Sequence, residues 1–117
     1  MADVNSFLGA LEAPLLVELG GIDPAISPIR TWMAVEDDET VTLTPVAEAD
    51  GPAHELLAAP VDAGAPAAAY VTYVPSKPER MEAKALIREP RDSDIRWTYV
   101  TRAPDGTPEL SAWEYMV

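Results

Sequence analysis

His54 opens the segment His54-Glu55-Leu56-Leu57-Ala58, the first half of the zinc-binding pattern H-E-x-x-H. On a helix the second ligand must stand one turn later, and Ala58 occupies that position. His54 is the only histidine and the chain has no cysteine, so neither an imidazole pair nor a thiolate site can be assembled. Any metal site would have to be built from carboxylates. Glu36-Asp37-Asp38-Glu39 offers contiguous oxygen ligands for Ca²⁺ or Mg²⁺, but it lacks the alternate spacing and distal Glu of an EF-hand loop. Four adjacent acids between two strand-like segments read as a solvated turn.

Nucleophilic and phosphate-binding patterns fare no better. Ser6, Ser27, Ser76, Ser93 and Ser111 lie in no G-x-S-x-G context, and Gly20-Gly21 is not followed by Lys-Ser/Thr. Glu114 falls in the series Leu110, Ala112, Glu114, Met116. If that face turns inward, Glu114 must be neutral or paired, with Arg96 or Arg102 as partner; if outward, it is an ordinary surface acid. No catalytic, cofactor-binding or metal-binding residue is assigned on these grounds. The expectation is a protein that is not an enzyme and needs no cofactor.

The acids and bases are divided unevenly along the chain. Residues 1–65 hold 12 Asp/Glu against Arg30 alone, and residues 66–117 hold 8 against 7 bases: Lys77, Arg80, Lys84, Arg88, Arg91, Arg96 and Arg102. The overall formal charge is −12. Such a field steers partners and opposes approach to phosphate, so direct nucleic-acid binding is not expected, although Arg80, Lys84, Arg88, Arg96 and Arg102 are interleaved with Trp97 and Tyr99. The N-terminal residues carry Asp3 rather than a basic region before an apolar one, and no segment reaches the ~18 uninterrupted apolar residues of a membrane span. A soluble chain without signal peptide or membrane insertion is expected, in cytoplasm or virion. Few lysines among many acids would also suit a halophile.

The elements follow from periodicity. Val4, Phe7, Leu8, Leu11 and Leu15 share one helical face, with Asp3 at the N-cap position and Pro14 ending the helix near residue 13. Residues 15–19 form a second short element of either type. Residues 29–35 and 40–44 alternate as two strands of a hairpin. Residues 45–69 are rich in Pro and Ala and read as a long loop or excursion, with a short helix at 53–59 entered through Pro52. Residues 69–74 are a strand.

Residues 77–89 are ambiguous. Ser76 and Glu79 match a capping box, yet Met81, Ala83, Ala85 and Ile87 alternate with charged residues except at Leu86. The strand is preferred, because Arg80, Lys84 and Arg88 would repel on a helix. Residues 95–102 and 110–117 complete an antiparallel meander around the turn Pro104-Asp105-Gly106.

The expected architecture is a single α+β domain over residues 1–117. An N-terminal helix packs on a mostly antiparallel sheet, or on a small barrel or sandwich, of five to six strands. The functional expectation is a docking subunit of a larger protein assembly, such as a virion head, tail or decoration component, that binds a protein partner or copies of itself. The candidate contact residues are Trp97, Tyr99, Trp113, Tyr115, Arg96, Arg102, Arg80, Lys84, Arg88, Asp37 and Asp38. An acidic inhibitor or antitoxin-like protein that mimics nucleic acid or caps a basic partner is the alternative, and a small ligand-binding domain or enzyme the third.

Overall fold

A computed structural model describes residues 4–23, 25–26, 28–47, 51–75, 78–89 and 91–115. The helix α1 (Val4–Gly20) is followed by the hairpin β1 (Arg30–Asp37) and β2 (Thr40–Pro45). Next come α2 (Ala53–Asp62), β3 (Ala67–Val74), β4 (Arg80–Ile87), β5 (Asp92–Arg102), β6 (Pro108–Leu110) and β7 (Glu114–Tyr115). The strands form one open antiparallel sheet in the order β2-β1-β3-β4-β5-β6, with β7 also pairing β5. The helix-on-antiparallel-sheet architecture is as expected. The sheet has seven strands rather than five or six, and it does not close into a barrel. No helix among the described residues is long and apolar enough to cross a membrane.

Strand parity assigns the two faces. Trp32 and Ala34 of β1, Ala67, Ala69, Val71 and Tyr73 of β3, and Met81, Ala83, Ala85 and Ile87 of β4 are buried together with Val4, Phe7, Leu8, Leu11, Leu15 and Leu19 of α1. The register sets Ala34 beside Ala69 and Ala69 beside Ala85. A row of alanines across three strands leaves space above it that the bulky side chains of α1 fill. Ala68, Leu86, Met33 and Val35 point to the opposite face, where Leu57 and Val61 of α2 cover them. Leu86, the residue that interrupts the alternation of β4, is the one that meets α2.

Pro14 does not end α1, which runs to Gly20. Pro14 offers no N–H to the Ala10 carbonyl, a defect of about 3 kcal/mol in an isolated helix. Leu15 and Leu19 lie beyond it and are fully buried. At about 1.5–3 kcal/mol each, their burial outweighs the defect.

Helix α2 also runs through a proline, Pro60, to Asp62. It stops in a Schellman motif: Gly64 N–H donates to the Val61 carbonyl (3.1 Å) and Ala65 N–H to the Pro60 carbonyl (3.0 Å), with Gly64 at φ 117°. The segment expected to be mostly loop thus holds a ten-residue helix.

The β1–β2 turn is formed by Asp38 (φ 50°) and Glu39 (φ 64°), a left-handed pair of the kind glycine and asparagine prefer. The capping box expected at Ser76 and Glu79 falls partly on Ser76, outside the described residues, as do the Asp3 N-cap, Met116 and Val117. Glu79 immediately precedes β4 rather than opening a helix.

Replacing Pro14 with alanine restores the Ala10 hydrogen bond without removing a core anchor. Pro14→Ala is expected to raise the unfolding free energy by about 1–2 kcal/mol in urea titration, with the far-ultraviolet helix signal unchanged or increased.

Candidate functional site

Two groups of polar and aromatic residues stand out, one under α1 and one on the opposite face. Under α1, Tyr73, Glu79 and Arg102 converge from β3, the start of β4 and β5. The Tyr73 hydroxyl donates to Glu79 Oε1 at 2.6 Å. Arg102 donates through Nε and Nη2 to the same carboxylate at 3.2–3.3 Å and through Nη1 to the Leu19 carbonyl at 3.2 Å. The backbone carbonyl of Glu79 accepts from Val100 N–H at 2.9 Å.

The network therefore ties the last turn of α1 to three strands, and its cation suits the negative end of the helix. Burial, and then the hydrogen bond to Glu79, push the Tyr73 phenol up to about 12. Burial alone would depress Arg102, but the Glu79 carboxylate outweighs it and holds the guanidinium above its ordinary value. Tyr73 is fully buried. The group is a fastening.

Glu79 was legible in principle. It has the parity of Met81, Ala83, Ala85 and Ile87 and is the inward acid of that series.

The opposite face is covered by α2 at one end and open at the other. Lys84 on β4 is flanked in register by Tyr70 of β3 and Ile95 of β5. The next row across holds Thr72, Glu82, Trp97 and Glu114, and the one beyond it Val74, Arg80 and Tyr99. Trp97 and Tyr99 stand edge to face, with ring centroids 4.7 Å apart and planes at 82°. With Pro78, Arg80 and Glu82 they bound a hollow of ≈ 290 Å³. Tyr99 is 40% exposed and Ile95 43%.

Trp97, Tyr99, Arg80 and Lys84 are thus brought together on one surface, and the others are not. Trp113 is half-buried and donates its indole N–H to Glu12 of α1 at 3.2 Å. Arg96 is buried, bonded to Asp94 (2.9 Å) and Asn5 (3.0 Å), with Tyr115 stacked 3.9 Å from its guanidinium. Arg102 belongs to the fastening. Neither arginine pairs with Glu114, which is exposed opposite Trp97. Arg88 lies in the turn after β4, and Asp37 and Asp38 lie at the β1–β2 tip. His54 is exposed on α2, and no three His, Asp or Glu side chains converge to hold a metal among the described residues.

The uneven division of charge takes a particular form in space. Arg80 lies 3.3 Å from Glu82, Arg88 4.0 Å from Glu89, Arg91 3.0 Å from Asp62, Arg96 2.9 Å from Asp94 and Arg102 3.2 Å from Glu79. The later bases are largely neutralised where they stand, and no carboxylate lies within salt-bridge distance of Lys84 among the described residues. Of the early acids, these five pairs engage Asp62 alone.

Compared with protein-family models, curated proteins and solved structures, the chain matches none.

Two outcomes check the fastening. Glu79→Gln leaves Arg102 charged and unpaired, and is expected to lower stability by about 2–4 kcal/mol in urea titration, part of which returns in the Glu79→Gln/Arg102→Met pair. A phenol raised from 10.0 to about 12 contributes fully below pH 10 and loses that contribution as pH climbs towards 12. The stability difference between wild type and Tyr73→Phe should therefore shrink over that window, by up to about 3 kcal/mol.

Proposed function

We propose that this chain is a non-enzymatic docking subunit of a larger protein assembly and that its open sheet face is the docking surface. The observation that carries this reading is the Trp97–Tyr99 pair on the part of the sheet that α2 leaves uncovered, beside Arg80 and Lys84. Aromatic and arginine side chains are the usual anchors of protein interfaces, and Trp and Tyr in particular offer a large rigid contact area at small cost in conformational freedom. The face is electrically mixed, with Arg80, Lys84, Glu82 and Glu114, so recognition there relies on the aromatics and on local ion pairing rather than on one sign of charge. A sheet also holds such a surface rigidly, which limits the ordering cost on binding.

A second reading, an acidic protein that caps a basic partner, is favoured by the local neutralisation of the arginines. That neutralisation leaves the acids of α1 and the β1–β2 turn without a matching basic surface among the described residues, while Asp62 of α2 is taken up by Arg91. This reading requires partner binding that weakens steeply with salt, whereas docking through the aromatic face weakens only slightly.

The partner is best isolated on the tagged full chain from its native host and then titrated as a purified protein. Trp97→Ala and Tyr99→Ala are expected to weaken its binding by about tenfold or more each while leaving the thermal midpoint within a few degrees of wild type. Wild-type affinity in both variants would remove the open face from the reading.

A further inference from the structure

We infer that the free edge of β2 takes up an extended, basic segment of a protein partner as an additional strand. This surface is separate from the Trp97–Tyr99 face, on the far side of β1 from β3.

The ladder determines which backbone groups are available. Val46 N–H donates to the Thr31 carbonyl at 3.1 Å, and Thr31 and Val46 continue the β1–β2 register of Trp32 with Pro45. In an antiparallel pair, hydrogen-bonded and non-hydrogen-bonded positions alternate. Thr44 and Thr42 therefore bond to β1, whereas Val41 and Leu43 turn their N–H and carbonyl groups away from it. No strand lies on that side among the described residues.

At the other margin of the sheet, β5 is covered by β6 and β7, and Trp97 Nε1 donates to the Tyr115 carbonyl at 3.2 Å, which fastens β7 down. That margin ends in strands of only three and two residues, whereas β2 offers a six-residue edge with no further strand beside it among the described residues. Thr40, Thr42, Thr44 and Pro45 are exposed, whereas Val41 and Leu43 are half-buried with their side chains against the core beneath α1.

Natural edge strands are generally guarded by lysine, inward charge, a bulge or proline. Thr-Val-Thr-Leu-Thr-Pro has only Pro45, at its end. Pro45 falls on an outward position, where its missing N–H does not disturb the ladder to β1. An incoming strand would bond to the amides of Val41 and Leu43 and to the carbonyls of Val41, Leu43 and Pro45.

Charge selects the occupant. Glu36, Asp37, Asp38 and Glu39 flank one end of the edge. Near the other end Glu18 and Pro45 line a groove of ≈ 560 Å³ that also includes Arg30. A second copy docked edge to edge in antiparallel fashion would bring the acidic turn of each chain towards the other's Pro45 end, where Glu18 and Arg30 offset one another and nothing local among the described residues counters the repulsion between the two chains. With a formal charge of −12 on each copy, that arrangement is repulsive. A partner segment with Lys or Arg at the end that faces the acidic turn, followed by β-branched residues, meets both the backbone pattern and the field.

The test uses the full chain and a capped peptide of alternating Val and Thr with Lys at both ends, followed by amide exchange and titration. The expected result is exchange at Val41 and Leu43 slowed by about tenfold or more at saturation. The same peptide with Glu for Lys should bind at least about tenfold more weakly, as should the Lys peptide at raised salt. Val41→Pro deletes an outward amide that the chain itself does not use, and should lose binding by about tenfold or more with the fold retained. If that variant fails to fold, Asp37→Lys/Glu39→Lys takes its place and should lose the preference for Lys over Glu. The inference is overturned by absence of binding, by binding that leaves Val41 and Leu43 exchange unchanged, by equal affinity for the Glu peptide, or by a β2-to-β2 dimer of the chain itself.

Discussion

The packing of α1 onto a floor of small side chains is the constraint from which the rest of this fold follows. Ala34, Ala69 and Ala85 stand side by side across β1, β3 and β4, and the helix fills the space above them with phenylalanine and leucine. Once that face is buried, the register of each central strand is determined, because a slip of one residue would carry its apolar set into water. It also decides what points the other way. Tyr70, Lys84, Trp97, Tyr99 and Arg80 are outward because Val71, Ala83, Thr98 and Met81 are inward. The open face is a by-product of the core, and the same parity holds its side chains in a defined array.

The polar groups beneath α1 act within that constraint. Hydrophobic packing fixes the depth of a helix on a sheet more firmly than its position along its own axis. The Arg102 bond to the Leu19 carbonyl, backed by Glu79 and Tyr73, supplies the missing coordinate at the C-terminal end, and the Glu12–Trp113 and Asn5–Arg96 bonds supply it further back. Buried ion pairs of this kind add little to stability relative to an apolar replacement, and their use here is one of alignment.

Much of the architecture was legible in the amino-acid order. The helical spacing of Val4 to Leu15, the alternation in β1, β2 and β5, and the choice of strand over helix for Arg80–Ile87 all follow from which residues must share a buried side. Less legible were the features where tertiary contacts override a local rule. Pro14 is a helix breaker by local chemistry, yet Leu15 and Leu19 hold the second half of α1 in place. Pro60 likewise sits inside α2, which ends only at its Schellman motif. The C-terminal run, read as one strand, is divided because Ser111 accepts the Tyr99 N–H and shares a hydroxyl contact with Thr98, diverting the chain between β6 and β7. Of the contact candidates, Trp97, Tyr99, Arg80 and Lys84 share a face through strand pairing, which a linear pattern indicates only once the register is known. Glu79 was passed over because a capping-box match supplied a local explanation for an acid whose role is long-range.

The three indoles of the chain occupy three different surroundings. Trp32 is enclosed between the strands and α1, Trp113 leans on α1 through Glu12, and Trp97 stands on the uncovered side of the sheet. Each therefore emits from its own microenvironment, so variants retaining one indole at a time turn the molecule into its own fluorometer. Loss of the core, lifting of the C-terminal segment and arrival of a visitor on the bare face would register as separate optical events.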